Sequence, residues 1–379
     1  MTIIQATFRR AVITIALLFL FNITLKANSS NTQAIWVVRG DMTSTECIDK
    51  VLEFAKDNNF NHIFAQVRGR GDAYYKSDIV PRSNFLKGDF DPLDYILRKS
   101  EPLNIKIHAW INVYYLWSAN RMPLQHDHLL NTHPQWLDSK EFRYVNVKNM
   151  LSIMNRSKGA YGEGFYLAPT HPDVEKYLLN MITELARQYP IDGIHLDYIR
   201  YHDLEYGFNP VGLEVFKGEY PILAETPNSV IREKPSWGNF RRKTITQFVE
   251  KASKIIRINS PDCIISAAVK PNIYIARNRY GQEWDLWLSA GYLDWAVPMN
   301  YATEKDDFDL NIRVMQDNLP KKYHEKIIMG ISTYNQSARS AGKKVQHAKK
   351  LNFPNICVFS YNTFKEKPSY WNLLKRYFR

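Results

Sequence analysis

The segment "IDGIHLDYIRYHD", Ile191 to Asp203, sets His195, Asp197, Arg200 and Tyr201 within seven residues of an otherwise apolar run. In a strand, neighbouring side chains point to opposite faces. Ile194, Leu196 and Tyr198 then share one side, and His195 and Asp197 the other. A polar face among buried apolar neighbours is costly unless its groups are paired or used. The segment therefore reads as a strand with one face on a conventional core and the other on something polar.

Working outward, seven more short β-branched runs have the same character. They are "AIWVVR" (34–39), "HIFAQVR" (62–68), "KIHAWINV" (106–113), "CIISAAVKP" (263–271), "WAVPMNY" (295–301), "KIIMGIST" (326–333) and "ICVFSYN" (356–362). Helical patterns separate and follow them, from "STECIDKVLEFAKDNN" to the terminal "KPSYWNLLKRYF". Ser44 and the Asp91-Pro92 pair are start signals. Strand then helix, eight times over, is the plan of a (β/α)8 TIM barrel. A doubly wound sheet needs no eighth unit and usually has a Gly-rich first turn, which is missing after Arg39. Two long segments interrupt the rhythm, Tyr114 to about Glu163 after the third strand and Tyr201 to about Ser236 after the fourth. Both follow strand C-termini, where barrel enzymes build their sites.

Alternation along each strand sorts the side chains into two sets. Ile63, Ala65, Val67, Ile107, Ala109, Ile111, Ile194, Leu196, Ile265, Ala267 and Val269 suit the helix-facing side. The lumen parity gathers Gln66 with Arg68, His108 with Trp110 and Asn112, His195 with Asp197, and Ser266 with Lys270, while Asn300 ends the sixth strand. So many polar groups near strand C-termini point to a site at the barrel mouth.

The first 27 residues read differently. Arg9 and Arg10 precede the apolar run from Ala11 to Leu25, with Ala27 near a plausible cut, the pattern of a secretory signal peptide. Residues 28–379 are then one catalytic barrel domain, periplasmic or extracellular, with no stable membrane insertion after cleavage. The three cysteines, Cys47, Cys263 and Cys357, lack metal-type spacing, and Cys263 and Cys357 read as small buried hydrophobes. The net charge of +12 would suit acidic glycans or nucleic acid, but no nucleic-acid module is present. No nucleic-acid partner is expected.

At these residues the chain resembles the glycosyl-hydrolase-like family 10. The matching pieces are "AIWVVR", "FAQVRGRGDAYYKSDIVP", "FDPLDYIL", "HAWINVY", "PIDGIHLDYIRY", "DLWLSAGYLDWAVPMNY" and "GISTYN", in family order across residues 34–362. The fourth-strand element is also similar to the "DGxRxD" pattern of α-amylase-type barrels, whose last Asp is the nucleophile; that position is Asp197, with His195 where those enzymes carry Arg. Leu167-Ala168-Pro169 stands where the family often has "LDP", and Lys270 stands near the position of the amylase-type fifth-strand Glu. The resemblance implies an exported glycoside hydrolase acting on a polysaccharide or oligosaccharide, with peptidoglycan-type strands leading.

Glycoside hydrolysis uses two carboxyl groups, one attacking or activating water and one protonating the leaving oxygen. Asp197 is expected to be the first. Glu304 and Asp72 are the main candidates for the second, with Glu283 behind. Arg68, His108, Trp110, Asn112, His195, Tyr198, Arg200, Lys270, Asn300, Tyr301 and Tyr334 are expected to bind substrate, the aromatic rings by stacking on sugar faces. No cofactor or metal is expected. Two other readings stay open, a catalytically lapsed glycan-binding barrel and a metal-dependent hydrolase built on His108, His195 and Asp197.

Overall fold

The ten strands of this computed structural model, which describes residues 31–156 and 164–378, fall into two sheets. The signal peptide read at residues 1–27 lies outside the described residues. The strands are β1 (Gln33–Val37), β2 (His62–Arg68), β3 (Lys106–Asn112), β4 (Tyr115–Trp117), β5 (Phe165–Tyr166), β6 (Gly193–Asp197), β7 (Ile264–Val269), β8 (Trp295–Pro298), β9 (Ile328–Ser332) and β10 (Asn355–Phe359). Eight pair in parallel in the order β8-β7-β6-β3-β2-β1-β10-β9. Isolated parallel bridges Ala296–Ile327 and Met299–Gly330 join the two ends into a nearly closed barrel. These are the eight strands expected from the sequence. The short antiparallel pair β4–β5 was not foreseen.

Local chemistry explains the helices between them. Ser44 accepts a hydrogen bond from the Cys47 N–H ahead of Thr45–Asp57, and Asp91 accepts from Leu93 and Asp94 ahead of Pro92–Ser100. The pattern "QEWDLWLSAG" is helical only over Trp284–Ser289. A separate helix, Ile273–Tyr280, precedes it and ends at Gly281 with φ 73°, a left-handed position glycine adopts at little cost. The two long segments carry short helices, including Val147–Arg156 and Pro210–Glu219. Phe208, Leu213, Phe216 and Ile231 of the second, with Trp237 and Phe240 just beyond it, form a separate hydrophobic core against which Phe142 of the first packs. Thr32–Arg379 forms one compact unit.

All eleven residues assigned to the helix-facing parity lie in the large core between strands and helices. The lumen is filled by a different cluster built on Ala34, Trp36, Phe64, Trp110, Val297, Ile328 and Cys357. Its rings climb in steps. Trp295 touches His62 and His108 at the base, Phe64 stacks on His195 at 4.2 Å in the middle, and Trp36 reaches Tyr301 and Phe359 above. Gly193 makes the lowest step possible, since a Cβ there would lie 2.1 Å from Nδ1 of His108. Cys263 and Cys357 are buried and unbridged, as the sequence suggested.

Candidate active site

Asp197 ends β6 and is 7% exposed. Its Oδ1 accepts the Tyr198 N–H at 2.7 Å, and its Oδ2 accepts the indole N–H of Trp110 at 3.1 Å. Tyr198 reaches this position with φ 50°, a left-handed backbone that a tyrosine adopts only at a cost of about 1–3 kcal/mol. Its ring stacks on Tyr115 at 4.7 Å. The Arg200 guanidinium packs over Tyr198, Tyr280 and Tyr166 at 4.8, 5.3 and 5.8 Å, and Lys270 lies 4.6 Å from the centre of Tyr280. A strained turn, a braced carboxylate and two cations on tyrosine faces thus meet at the C-terminal end of one strand.

The expected residues divide by depth. Trp110 is 3% exposed and serves Asp197 from below, so its ring belongs to the lumen packing rather than to an open sugar platform. His195 is fully buried beneath it. Its Nε2 accepts the Trp36 indole N–H at 3.1 Å, which leaves Nδ1–H to donate to Ser266 Oγ at 2.9 Å. Burial pushes its pKa down to about 3, so the ring is neutral. His108 sits lower still, pairing with Gly193 in the register and 2.9 Å from Nδ1 of His62. Burial holds it well below the usual histidine range. Both histidines are internal packing groups, and the His108–His195–Asp197 trio does not converge as a metal site would require. Among the described residues no cluster of three His, Cys, Asp or Glu is arranged to hold a metal ion.

Two expected substrate contacts point elsewhere. A register shift between Gln66 and Arg68 turns Arg68 out of the lumen parity. Its buried guanidinium donates to the main-chain carbonyls of Asn112 and Val113, with Tyr177, Tyr75 and Asp72 as its electrostatic neighbours. Asn300 faces the helix Lys305–Asn318: its Nδ2 donates to Phe308 O at 3.1 Å and its Oδ1 accepts from Asn311 at 2.9 Å. The chain bends after Pro298, and strand alternation no longer applies there. Asn112 pairs with Asp197 in the register and uses its amide to donate to Gly69 O at 2.8 Å, anchoring the loop after β2.

Tyr301 and Tyr334 do reach the mouth. Tyr301 is half-buried above Trp36, and burial, then Cys357 and the Asp197 charge, push its phenol well above the usual range. Tyr334 is 62% exposed and stands edge-on to Tyr301. Of the second-carboxyl candidates, Asp72 is buried and accepts the Arg70 N–H at 2.9 Å within its own loop. Glu304 is exposed at the N-cap of Lys305–Asn318, beside Lys344. Glu283 accepts from Thr246 and lies 3.8 Å from both Arg242 and Arg277, a structural position.

One carboxyl was not anticipated. Asp138 is 4% exposed, its Oδ1 accepting from the Ser139 and Gly207 N–H groups. Burial raises its pKa to about 7 against the opposing charge of Arg241. It lies on the wall of a cavity of about 530 Å³ lined mainly by the first long segment, shared with Tyr144, Asn146, Tyr166 and, from the second segment, Tyr206. Nothing in "HPQWLDSKEF" marks Asp138, because its environment comes from Gly207 and Arg241, far along the chain.

A profile of the family described as "Glycosyl hydrolase-like 10" matches residues 28–347. Glycosyl hydrolase YngK of Bacillus subtilis (strain 168) is 24% identical over 220 residues, 56% of this chain and 37% of that protein. Glycosyl hydrolase DigH of Escherichia coli (strain K12) is 25% identical over 281 residues, 67% of this chain and 57% of that protein. The chain thus spans only part of the length of these relatives. Among solved structures, the glycoside hydrolase domain of PgaB (BpsB) from Bordetella bronchiseptica superposes with a TM-score of 0.65 at 12% identity, covering 91% of this chain and 98% of that one. Alpha-L-fucosidase isoenzyme 2 from Paenibacillus thiaminolyticus gives 0.62 at 14% identity, covering 92% and 49%. At these identities the structural likeness establishes the barrel fold.

Proposed function

The chain belongs to the glycosyl hydrolase-like 10 family, and from that membership we propose an exported hydrolase of O-glycosyl bonds in a polysaccharide, with peptidoglycan-type amino-sugar strands as the leading substrate class. The observation that carries the reading is the Asp197 carboxylate, held by Trp110 and by the strained Tyr198 turn at the barrel mouth. An acceptor-only carboxylate with donors on both oxygens suits a nucleophile or water-activating base. Tyr334 and Tyr301 supply the aromatic rim that sugar faces favour. Glu304, exposed three residues beyond Tyr301, and Asp72, in the loop after β2, are the two candidates for the acid. Export rests on Arg9, Arg10 and the apolar run that follows them.

One observation favours a second reading, a barrel that binds glycan without cleaving it: Asp72 and Glu304 each have their contacts away from Asp197. Incubating the protein and its Asp197→Asn variant with a panel of glycans, with products read by mass spectrometry, separates the two. The hydrolase reading expects products from the wild type alone. Bound but uncleaved glycan in both would support the binding barrel.

A further inference from the structure

The positive charge of this chain is concentrated in one sector. Residues 320–379 hold thirteen Lys and Arg against Glu325 and Glu366, a net +11 of the chain's +12. Everything before residue 320 therefore sums to +1. In a folded barrel such segregation has a definite place. The helix Ala338–Lys350 buries Ala338, Ala341, Val345 and Ala348 and turns Arg339, Lys343, Gln346 and Lys350 to solvent. These positions are spaced by four, three and four, one continuous stripe without an acid.

The C-terminal segment lies alongside. Gly342 leaves room for Tyr377, whose ring would be 2.2 Å from a Cβ there, and Lys349 Nζ donates to Phe378 O at 2.7 Å. This contact seats the exposed Lys375 and Arg376 next to the stripe. Lys321 and Lys322, also exposed, precede β9. Among the described residues the ion pairs of this sector, Lys365–Asp41 and His347–Asp309, involve other side chains. The flanking helices are of mixed charge. Lys305–Asn318 carries four Asp against Lys305 and Arg313, and Thr45–Asp57 carries Glu46, Asp49, Glu53 and Asp57 against Lys50 and Lys56.

Chain direction places the far end of this stripe away from the site, while Arg339 opens its helix on the mouth side. Asp197 and Tyr334 follow strand C-termini, at the mouth. Lys321 and Lys322 come before a strand, and Lys350, Lys375 and Arg376 close helices that run back toward the opposite end. Among these bases Leu373 is 51% exposed, with Tyr370, Tyr377 and Phe378 half-buried nearby.

We propose that this sector, the flank and base of the barrel, docks the protein peripherally on a bilayer surface bearing anionic phospholipid headgroups, leaving the mouth uncovered. Unpaired Lys and Arg are drawn to the negative potential of such a surface. Apolar and aromatic groups beside bases are the composition of interfacial contacts. The phosphates of a nucleic-acid duplex would match the charge but give Leu373 nothing to enter.

The test is sedimentation of the full chain with vesicles of pure phosphatidylcholine or with 30 mol% phosphatidylglycerol, across a salt series. The N-terminal apolar run is common to every variant, so the readout is the preference for anionic vesicles. Tighter, salt-sensitive binding to the anionic vesicles is expected. The combined variant Lys343→Gln, Lys350→Gln, Lys375→Gln and Arg376→Gln should lose that preference, by on the order of a hundredfold for four charges near the surface. Each single substitution should weaken it several-fold, which keeps the test decisive if the combined variant misfolds. Equal binding to both vesicle types, or variants indistinguishable from wild type, overturns the proposal. So does a DNA duplex that displaces the protein from vesicles at equal phosphate concentration.

Discussion

Trp110 and Asp197 stand on neighbouring strands, and the indole N–H of the first donates to Oδ2 of the second at 3.1 Å. Indole nitrogen can only donate. The partner oxygen must therefore accept, and the carboxylate is oriented from within the lumen rather than by solvent.

This relationship governs the outcome of Asp197→Asn. The amide oxygen can still take the Tyr198 N–H, but the amide nitrogen then faces the indole N–H, donor against donor. Leaving that buried donor unmet should lower stability by about 1–3 kcal/mol. Turnover should fall by about two to four orders of magnitude if Asp197 does chemistry. Steady-state kinetics and thermal unfolding of the same sample give both numbers. Wild-type turnover in the Asn variant would exclude a catalytic Asp197.

Gly193→Ala tests the base of the lumen. The new methyl would lie 2.1 Å from His108 Nδ1, and His62 and Trp295 block the ring's retreat. Overpacking of this kind costs about 1–3 kcal/mol or more. His108→Ala should restore part of the loss when combined with Gly193→Ala. Strictly additive urea-unfolding energies would show that the two positions do not share space.

Acid should destabilise the fold through its buried histidines. His62 and His195 have pKa values lowered to about 4 and about 3, mainly by burial, and His108 is lowered well below its ordinary 6.5 for the same reason. Below about pH 6.5 the unfolded chain takes up protons there and the folded chain does not. Stability is thus full above 6.5 and falls as pH drops toward 4, by up to about 1.4 kcal/mol per pH unit per histidine. Thermal unfolding of wild type and His195→Gln between pH 7 and pH 4 reads the slope, which should be shallower in the variant.

Asp138 has the opposite sign. Its folded pKa is raised from 3.8 to about 7, so it opposes folding progressively as pH rises through that window. Asp138→Asn keeps an oxygen for the Ser139 and Gly207 N–H groups. The variant should match wild type near pH 4 and exceed it at pH 8. A lower melting temperature at pH 8 would mean that attraction to Arg241 outweighs burial.

The aromatic rim separates from the lumen in a matched pair. Tyr334, 62% exposed, should weaken glycan binding about two- to tenfold as Tyr334→Ala, with the melting temperature unchanged. Trp110→Ala should instead lose about 3–5 kcal/mol of stability through the cavity it leaves. Calorimetric titration with an oligosaccharide beside thermal unfolding distinguishes them; a fall in stability for Tyr334→Ala would return that ring to the core.

Strand content and face were legible in the sequence because alternation is a local property. Each of the eight parallel strands coincides with an apolar run, and Ile63, Ala65 and Val67 face the helices as their parity requires. Asp197 at the end of its strand was legible for the same reason. Alternation says nothing about height, however. His108, His195 and Asp197 share a parity, yet the register sets His108 beside Gly193, below His195, and only Asp197 reaches the mouth. That stagger belongs to barrel closure, a relation among strands distant in sequence. Parity also failed where the backbone departs from the pleat, at the bulge that turns Arg68 away and past Pro298, where Asn300 meets a helix. Asp138 became visible only in the folded chain, since the burial that moves its pKa is supplied by two loops that meet in space. Residue order determined the faces; three-dimensional closure decided depth, exposure and which carboxylate stands at the mouth.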